Sequence, residues 1–465
     1  MPLTDSHKLE AAVEVSPLTV LVQGLLAWIF PVGFLARLFR EAAPRQRDQK
    51  LAISAITGLM LEVVTGTRQS VHAAYKADQM SPTPTLGTSF QALYQKYGRL
   101  DPEYSAAVVR ASAQRCILLV AAATAVLPEL FGWEGYRVRI LDGTDLNGSE
   151  HRLGVLRRLR SAGLPGRCVV CYEPALDLVV DVALSEDAYT SERVLVRQIL
   201  ERAYKNDLYV CDRFYCTTDI LFRLDDQNAS FVIRHFDRLR WHPVKDRGVP
   251  GRVETGSVSE MEIDVEDPET GRSKRMRLLT LELDTPTEDG DTTIRLLTNL
   301  KRVDARRICE LYRERWRIER HFSMLKTVLN GEVDSLGQPR AALFALCMAM
   351  VAGNALGVVK RLLSEAHGAD LWEQLSGYYL TDEVCFNYRA VELLVGDSGR
   401  ARLSAMPARE FWAWCQEVAS RVRPWAFTKT RARGPKRPQP KPISGKRRPH
   451  YSTHRLLAEK EKRKC

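Results

Sequence analysis

With 465 residues the chain exceeds what one ordinary core holds, and its 45% hydrophobic and 27% charged residues exclude a disordered or fibrous protein. The net charge is +11, but Lys429 to Cys465 alone carries fourteen Lys or Arg against two Glu, a net of +12, which leaves residues 1–428 at −1. Basicity gathered in one tail points to nucleic acid as its partner, and ten cysteines without repeated spacing exclude a disulfide-stapled scaffold.

The first 80 residues pattern as helices. The apolar stretch Leu18 to Leu35 is interrupted by Gln23, Gly24, Pro31 and Gly33, and acids (Asp5, Glu10, Glu14) precede it where a signal peptide would be basic. It reads as a buried hairpin of two helices broken at Pro31 rather than a membrane anchor. Ser81 to Gly87 is a Pro-rich linker, and residues 88–129 return to helical patterning. From Arg137 the pattern changes: Arg137 to Asp142 alternates like a strand and stops at Gly143, and Cys168 to Tyr172 and Leu176 to Leu184 are two more strands. Cys168-Val-Val-Cys171 lies in the second of these, where residues three apart point to opposite faces, so it does not read as a zinc site. A helix (Ser191 to Tyr204), a strand (Leu208 to Asp212), a helix (Thr217 to Leu224) and a strand (Ser230 to Arg234) follow. Three strands, a helix, a strand, a helix and a strand is the order of a ribonuclease H-like α/β core. Between 243 and 300 Met261, Ile263 and Val265 alternate with acids between turn clusters, predicting a β insertion that stands outside the core sheet. One helix is expected from about Asp304 to Leu329, with more helices to residue 420.

Two carboxylates, Asp142 and Asp212, close strands at the end where α/β sheets build their sites. Either alone reads more often as a helix cap or turn residue than as a catalytic one. The later helix adds weight. Tyr312, Arg315, Glu319 and Lys326 lie three, seven and fourteen residues from the first, within about 60° of one another at ~100° per residue. A surface ion-pair ladder has this look too, but Trp316, Phe322 and Leu325 are close by and a freely solvated face would not carry them. A carboxylate between two cations and a phenol suits a site that holds a metal and a phosphate together.

The run Tyr312-x2-Arg315-x3-Glu319-x6-Lys326, within YRERWRIERHF, resembles the YREK signature of bacterial insertion-sequence transposases of the DDE type (the insertion sequence 4 group). Leu141-Asp-Gly-Thr144 resembles that family's first-Asp motif, and Cys211-Asp-Arg-Phe214 followed by Phe231 to Arg234 its second-Asp region. The resemblance implies an α/β, ribonuclease H-like catalytic core interrupted by a β-strand insertion, with helical N- and C-terminal regions. It implies a transposase that cuts and joins DNA at the ends of a mobile element; a nuclease without strand transfer and a silent DNA-binding derivative are the alternatives. By resemblance Asp142 bridges two Mg²⁺ (with Mn²⁺ as a substitute), Asp212 holds one and Glu319 the other. Arg315, Lys326 and Arg234 would bind DNA phosphates, Tyr312 would donate a hydrogen bond, and Trp241 is a candidate for base stacking, with simple packing as its alternative. The partners would be double-stranded DNA with terminal inverted repeats and a second copy on that DNA, with no membrane, in a bacterial cytoplasm at the nucleoid.

The expected layout is a helical DNA-binding domain (1–85), a helical connector (86–135), the first part of the core (136–242), the β insertion (243–300), the rest of the core with the catalytic helix (301–340), a helical region (341–428) and the basic tail (429–465). The 107 residues between Asp212 and Glu319 leave room for the insertion. The tail, rich in Pro and charge, is expected to be extended, outside any core, and to touch phosphates without reading bases.

Overall fold

The computed structural model describes residues 5–47, 51–81, 83–123, 133, 135–146, 153–158, 163–287, 290–429 and 451–462. Seven helices come first: α1 (Asp5–Val15), α2 (Pro17–Ile29), α3 (Phe34–Ala42), α4 (Ile53–Val64), α5 (Val71–Gln79), α6 (Phe90–Arg99) and α7 (Pro102–Ala123). Ser16 starts α2, its hydroxyl accepting from the Thr19 N–H and so satisfying one of the bare amides of the first turn. The chain breaks between α2 and α3, where Pro31 lacks an amide and Gly33 takes a left-handed φ of +77°. The result is a 50° bend, not the expected hairpin.

The sheet follows as β1 (Arg137–Asp145), the short β2 (Gly163–Leu164), β3 (Arg167–Glu173), β4 (Leu178–Ser185), helix α8 (Glu192–Leu200), β5 (Asp207–Cys211), helix α9 (Thr218–Asp226) and β6 (Ser230–Arg234). The spatial order β4-β3-β1-β5-β6 has the first three strands antiparallel and β1, β5 and β6 parallel, which is the ribonuclease H-like arrangement expected. Alternation divides each strand between two apolar layers. Cys168, Val170 and Val210 join the layer beneath the bulk of the helices, while Val169, Cys171 and Cys211 pack with Leu195, Ile199 and Leu221 of α8 and α9. Cys168 and Cys171 thus stand on opposite faces, and burial pushes the Cys168 thiol up to about 12.

Four strands form the insertion: β7 (Trp241–Val253), β8 (Gly256–Glu266), β9 (Ser273–Leu283) and β10 (Thr293–Thr298). They were expected to stand outside the core sheet. Instead β10 pairs with β6 (Leu296 with Arg234, Leu297 with Ile233, Thr298 with Val232), giving one sheet of nine strands. The reason is the open edge of β6, whose backbone groups need partners that β10 supplies. A buried ion pair fastens the insertion: Arg277 donates to both Glu260 oxygens (2.7 and 2.8 Å) and to the carbonyls of Leu300 (2.6 Å) and Val303 (2.8 Å). Truncating Arg277 leaves the buried Glu260 with only the partly exposed Arg247 (3.2 Å), so Arg277→Met should cost about 3 kcal/mol, whereas Arg277→Met with Glu260→Met should recover part of the loss. Urea unfolding of both variants checks this, and a single variant as stable as the parent would contradict it.

The predicted single helix is two: α10 (Ala305–Arg313) and α11 (Trp316–Thr327), meeting at Glu314 and Arg315. Beyond them lie α12 (Pro339–His367), α13 (Leu371–Gln374), α14 (Gly377–Ala405, broken at Gly396), α15 (Ala408–Ser420), β11 (Tyr451–Ser452) and α16 (Thr453–Lys462). Two described helices, α7 and α12, are long and apolar enough to cross a membrane by length and composition, yet the apolar window of α12 is wholly buried inside the fold. Its Asn354 side chain bonds the N–H (2.7 Å) and carbonyl (3.0 Å) of Val179, completing the edge strand β4 with a side chain. One core runs from Ala12 to Val422, so the N-terminal helices pack with the C-terminal ones.

The basic tail departs from the expectation at its end. Residues 430–450 and 463–465, with Arg447 and Arg448, lie outside the described residues. β11, however, pairs in parallel with β2, Ser452 donates to Asp187 (2.7 Å), Arg455 bonds the same carboxylate (2.7 Å), and α16 follows. A strand of two residues carries no periodic signal, so the pattern of the tail could not reveal it.

Candidate active site

The parallel register of β1 and β5 builds the centre. Its last pair is Leu141 with Cys211, so Asp142 and Asp212 are the next residues on neighbouring chains, at the ~4.8 Å spacing of adjacent strands. β1 does not stop at Gly143 as predicted; it continues to Asp145 against β3, which leaves Asp142 anchored on one side and open on the other. Asp142 accepts from the Gly143 N–H (2.9 Å), and Asp212 accepts from the Phe214 N–H (2.8 Å) as the cap of a short 3₁₀ turn. Burial raises the Asp142 carboxyl to about 7; the Arg315 guanidinium opposes this and the Asp212 charge adds to it.

Arg315 sits where α10 meets α11 and turns toward Asp142 (3.7 Å) and Glu319 (3.1 Å). Its own Nε is buried without a partner. Tyr312 lies behind it, hydrogen-bonded to Arg315, its phenol pushed up to about 12 by burial against the pull of Arg315 and Arg234. Asp142, Asp212, Tyr312, Arg315 and Glu319 therefore share one electrostatic neighbourhood. Lys326 stands at its rim, bonded to the Asp145 carbonyl (3.1 Å) and Glu332 (2.9 Å). Arg234 reaches the insertion instead, donating to Asp291 (2.7 Å). Trp241 opens β7 and packs edge-on to His235, ring centres 6.4 Å apart. The competing acids are engaged elsewhere: Asp145 is gripped by both prongs of Arg167, and Asp207 pairs with Arg137 at the far end of β5.

Reading the sequence missed Glu192. This first residue of α8 lays its carboxylate over Gly143, where any Cβ would collide with it, and accepts from the Tyr215 hydroxyl (3.0 Å). Burial raises its carboxyl, and the charges of Asp212 and Asp145 raise it further. An acid in a first helical turn ordinarily answers the helix dipole. The only local hint was the glycine after Asp142. Among the described residues no three Asp, Glu, His or Cys side chains are gathered closely enough to hold a metal in this arrangement, since Arg315 draws Glu319 to itself. The donors are nonetheless all carboxylate oxygens, and a divalent cation is the natural counter-charge for so many acids.

Residues 133–354 match the family described as the transposase DDE domain. A probable transposase for insertion sequence element IS5377 of Geobacillus stearothermophilus is 26% identical over 198 residues, 42% of this chain. The chain spans about half (48%) of the length of that curated relative. A solved structure, the cryo-EM piggyBac transposase synaptic complex with hairpin DNA, is similar over 90% of this chain and 86% of its own, at 9% identity and a TM-score of 0.41. Asp142, Asp212, Arg315 and Glu319 all fall within the matched stretch, so residues 133–354 of this chain are similar to a transposase DDE domain and carry all four.

Proposed function

We propose that the protein cuts and joins DNA at the ends of a mobile element, with Asp142, Asp212 and Glu319 as metal ligands. The observation that carries this reading is the register that sets Asp142 beside Asp212, with Arg315 bridging Asp142 and Glu319. Two Mg²⁺ bound there would supply charge to the attacking and leaving oxygens of a phosphodiester. The chain's own residues do the rest. Arg315 bridges Glu319 and Asp142; with Glu319 as a ligand to a cation, the guanidinium would be free to grip a phosphate with its fork. Tyr312 fixes that guanidinium and can donate to a phosphate oxygen. Lys326 places a point charge at the rim, and Glu192, locked by Tyr215 over Gly143, adds a further carboxylate beside the pair. The basic residues between 430 and 450 and the N-terminal helices would bring the DNA, with its terminal inverted repeats, to this centre.

The test is incubation of the full chain with Mg²⁺ and duplex DNA carrying the element's ends and a target duplex. Cleavage at the ends followed by joining is expected. Cleavage without joining would reduce the activity to that of a nuclease, and no cleavage with intact binding would mark a silent derivative.

A further inference from the structure

The helix that carries Glu319 has a second working face. At ~100° per residue, Arg317, His321 and Met324 of α11 lie within about 40° of the side opposite Glu319. There they wall a cavity of about 320 Å³, closed by Lys360 of α12, Trp372 of α13, the start of α14 and Lys429. Its two acids are already matched: Lys360 reaches Asp177 (2.6 Å) and Arg317 reaches Glu373 (2.7 Å). Arg320 and Lys429 line the same cavity with no carboxylate partner among the described residues; Lys429 donates to the Glu373 backbone carbonyl (2.6 Å). Partial burial pushes the Lys429 ammonium down, and the charges of Lys360 and Arg320 push it further, against the pull of Glu373. Cations crowded in a cavity beyond the number of its acids are the complement of an anion.

Two further features fit an anion. Ser376 begins α14 without a side-chain cap bond, and Ser376, Gly377 and Tyr378 line the cavity, so the bare amides of a long helix's first turn open on the same space. The buried His321 ring lines it too, with Nδ1 3.5 Å from Asp177 and Nε2 without a hydrogen-bond partner among the described residues. Beside the charges stand two aromatic rings, the half-buried Trp372 and the exposed Tyr378, each a platform for a flat guest. We infer that this cavity binds a nucleoside through a phosphate monoester, the phosphate on Arg320, Lys429 and the first turn of α14, the base against Trp372 and Tyr378. The two unmatched cations balance a monoester, which carries about −1.5 to −2 at neutral pH, better than the single charge of a phosphodiester inside a strand. The volume lies at the small end of ligand pockets, roughly 300–1,000 Å³, and holds one nucleotide rather than a duplex. A free nucleoside monophosphate and the 5′-phosphorylated end of a DNA strand share this chemistry. Either occupant would brace α11 from the side opposite Glu319.

Calorimetric titration of the full chain with AMP, in buffer with chelator and no DNA, tests the inference; these conditions keep it independent of the proposed chemistry. The expected result is saturable binding of AMP, with adenosine weaker by roughly tenfold or more because it lacks the charge. Arg320→Gln and Lys429→Gln together should weaken AMP by a similar factor with helix content by circular dichroism unchanged, since neither side chain holds a carboxylate. Trp372→Ala should weaken AMP about tenfold and leave the binding of inorganic phosphate unchanged, which separates the base contact from the charge contact. In competition, a 5′-phosphorylated oligonucleotide that displaces AMP where its unphosphorylated twin does not marks a strand end as the source of the ligand; displacement by neither marks the free nucleotide. Failure of AMP to bind at millimolar concentration overturns the inference. So does binding indifferent to the paired Gln variants, equal affinity for adenosine, or equal displacement by both oligonucleotides.

Discussion

Asp142→Asn should abolish DNA cleavage, by ~10³-fold or more, and at the same time make the metal-free protein harder to unfold. The first effect follows from the loss of a ligand charge: metal stabilisation of the transition state is worth several kcal/mol, and about 4 kcal/mol is a thousandfold. The second follows from burial. In the folded protein the Asp142 carboxyl titrates at about 7 against 3.8 for an ordinary Asp. Below the ordinary value both folded and unfolded chains carry the proton and the charge costs nothing. As pH rises through the window between those two values, the unfolded chain ionises freely while the folded one resists, and stability falls until the folded group is ionised as well. Asparagine carries no charge and escapes this loss. The gain in melting temperature should therefore be larger at pH 8 than at pH 5, in buffer with chelator. A variant equally or less stable at pH 8 would show that burial and Asp212 do not strain this carboxyl.

Glu319→Gln should separate binding from chemistry. Its carboxylate forms an ion pair with Arg315 at 3.1 Å, and glutamine keeps the side chain's length and shape, so the fold around Arg315 should persist. What is lost is the charge a divalent cation needs. Cleavage should fall at least a hundredfold, while DNA affinity measured by anisotropy with chelator should hold or rise, because one negative charge leaves the neighbourhood of the phosphates. Cleavage near the parental rate would remove Glu319 from the ligand set.

The sequence showed most plainly what local chemistry controls. Strand alternation and the end of β5 just before Asp212 reflect a pleat and a sheet end, and both can be read from a few residues, whereas the run of β1 beyond Asp142 is set by its pairing with β3. The order of strands and helices followed for the same reason. Other features depend on partners far away in the chain. Nothing within Thr293 to Thr298 says that it will close the edge of β6 as well as pair with β9. Nothing in Tyr451 and Ser452 announces β2. The stripe from Tyr312 to Lys326 assumed one straight helix; the break at Glu314 and Arg315 carries no Pro or Gly that could announce it. Glu192 was hidden because its meaning lies in a contact with Gly143 across the sheet.

The burial of α12 also bears on how the chain is made. A segment this apolar, met while still emerging from a ribosome, offers the surface that membrane-insertion machinery and aggregating neighbours recognise. Most of its main packing partners among the described residues, α2, α4, α6, α7 and β4, precede it in the chain, while α13 and α15 come later. The amino-terminal helices therefore leave the ribosome before Pro339 appears, so much of the apolar surface that α12 packs against is available to it at once. On this view the first hundred or so residues act as a built-in chaperone for the most hydrophobic helix of the protein.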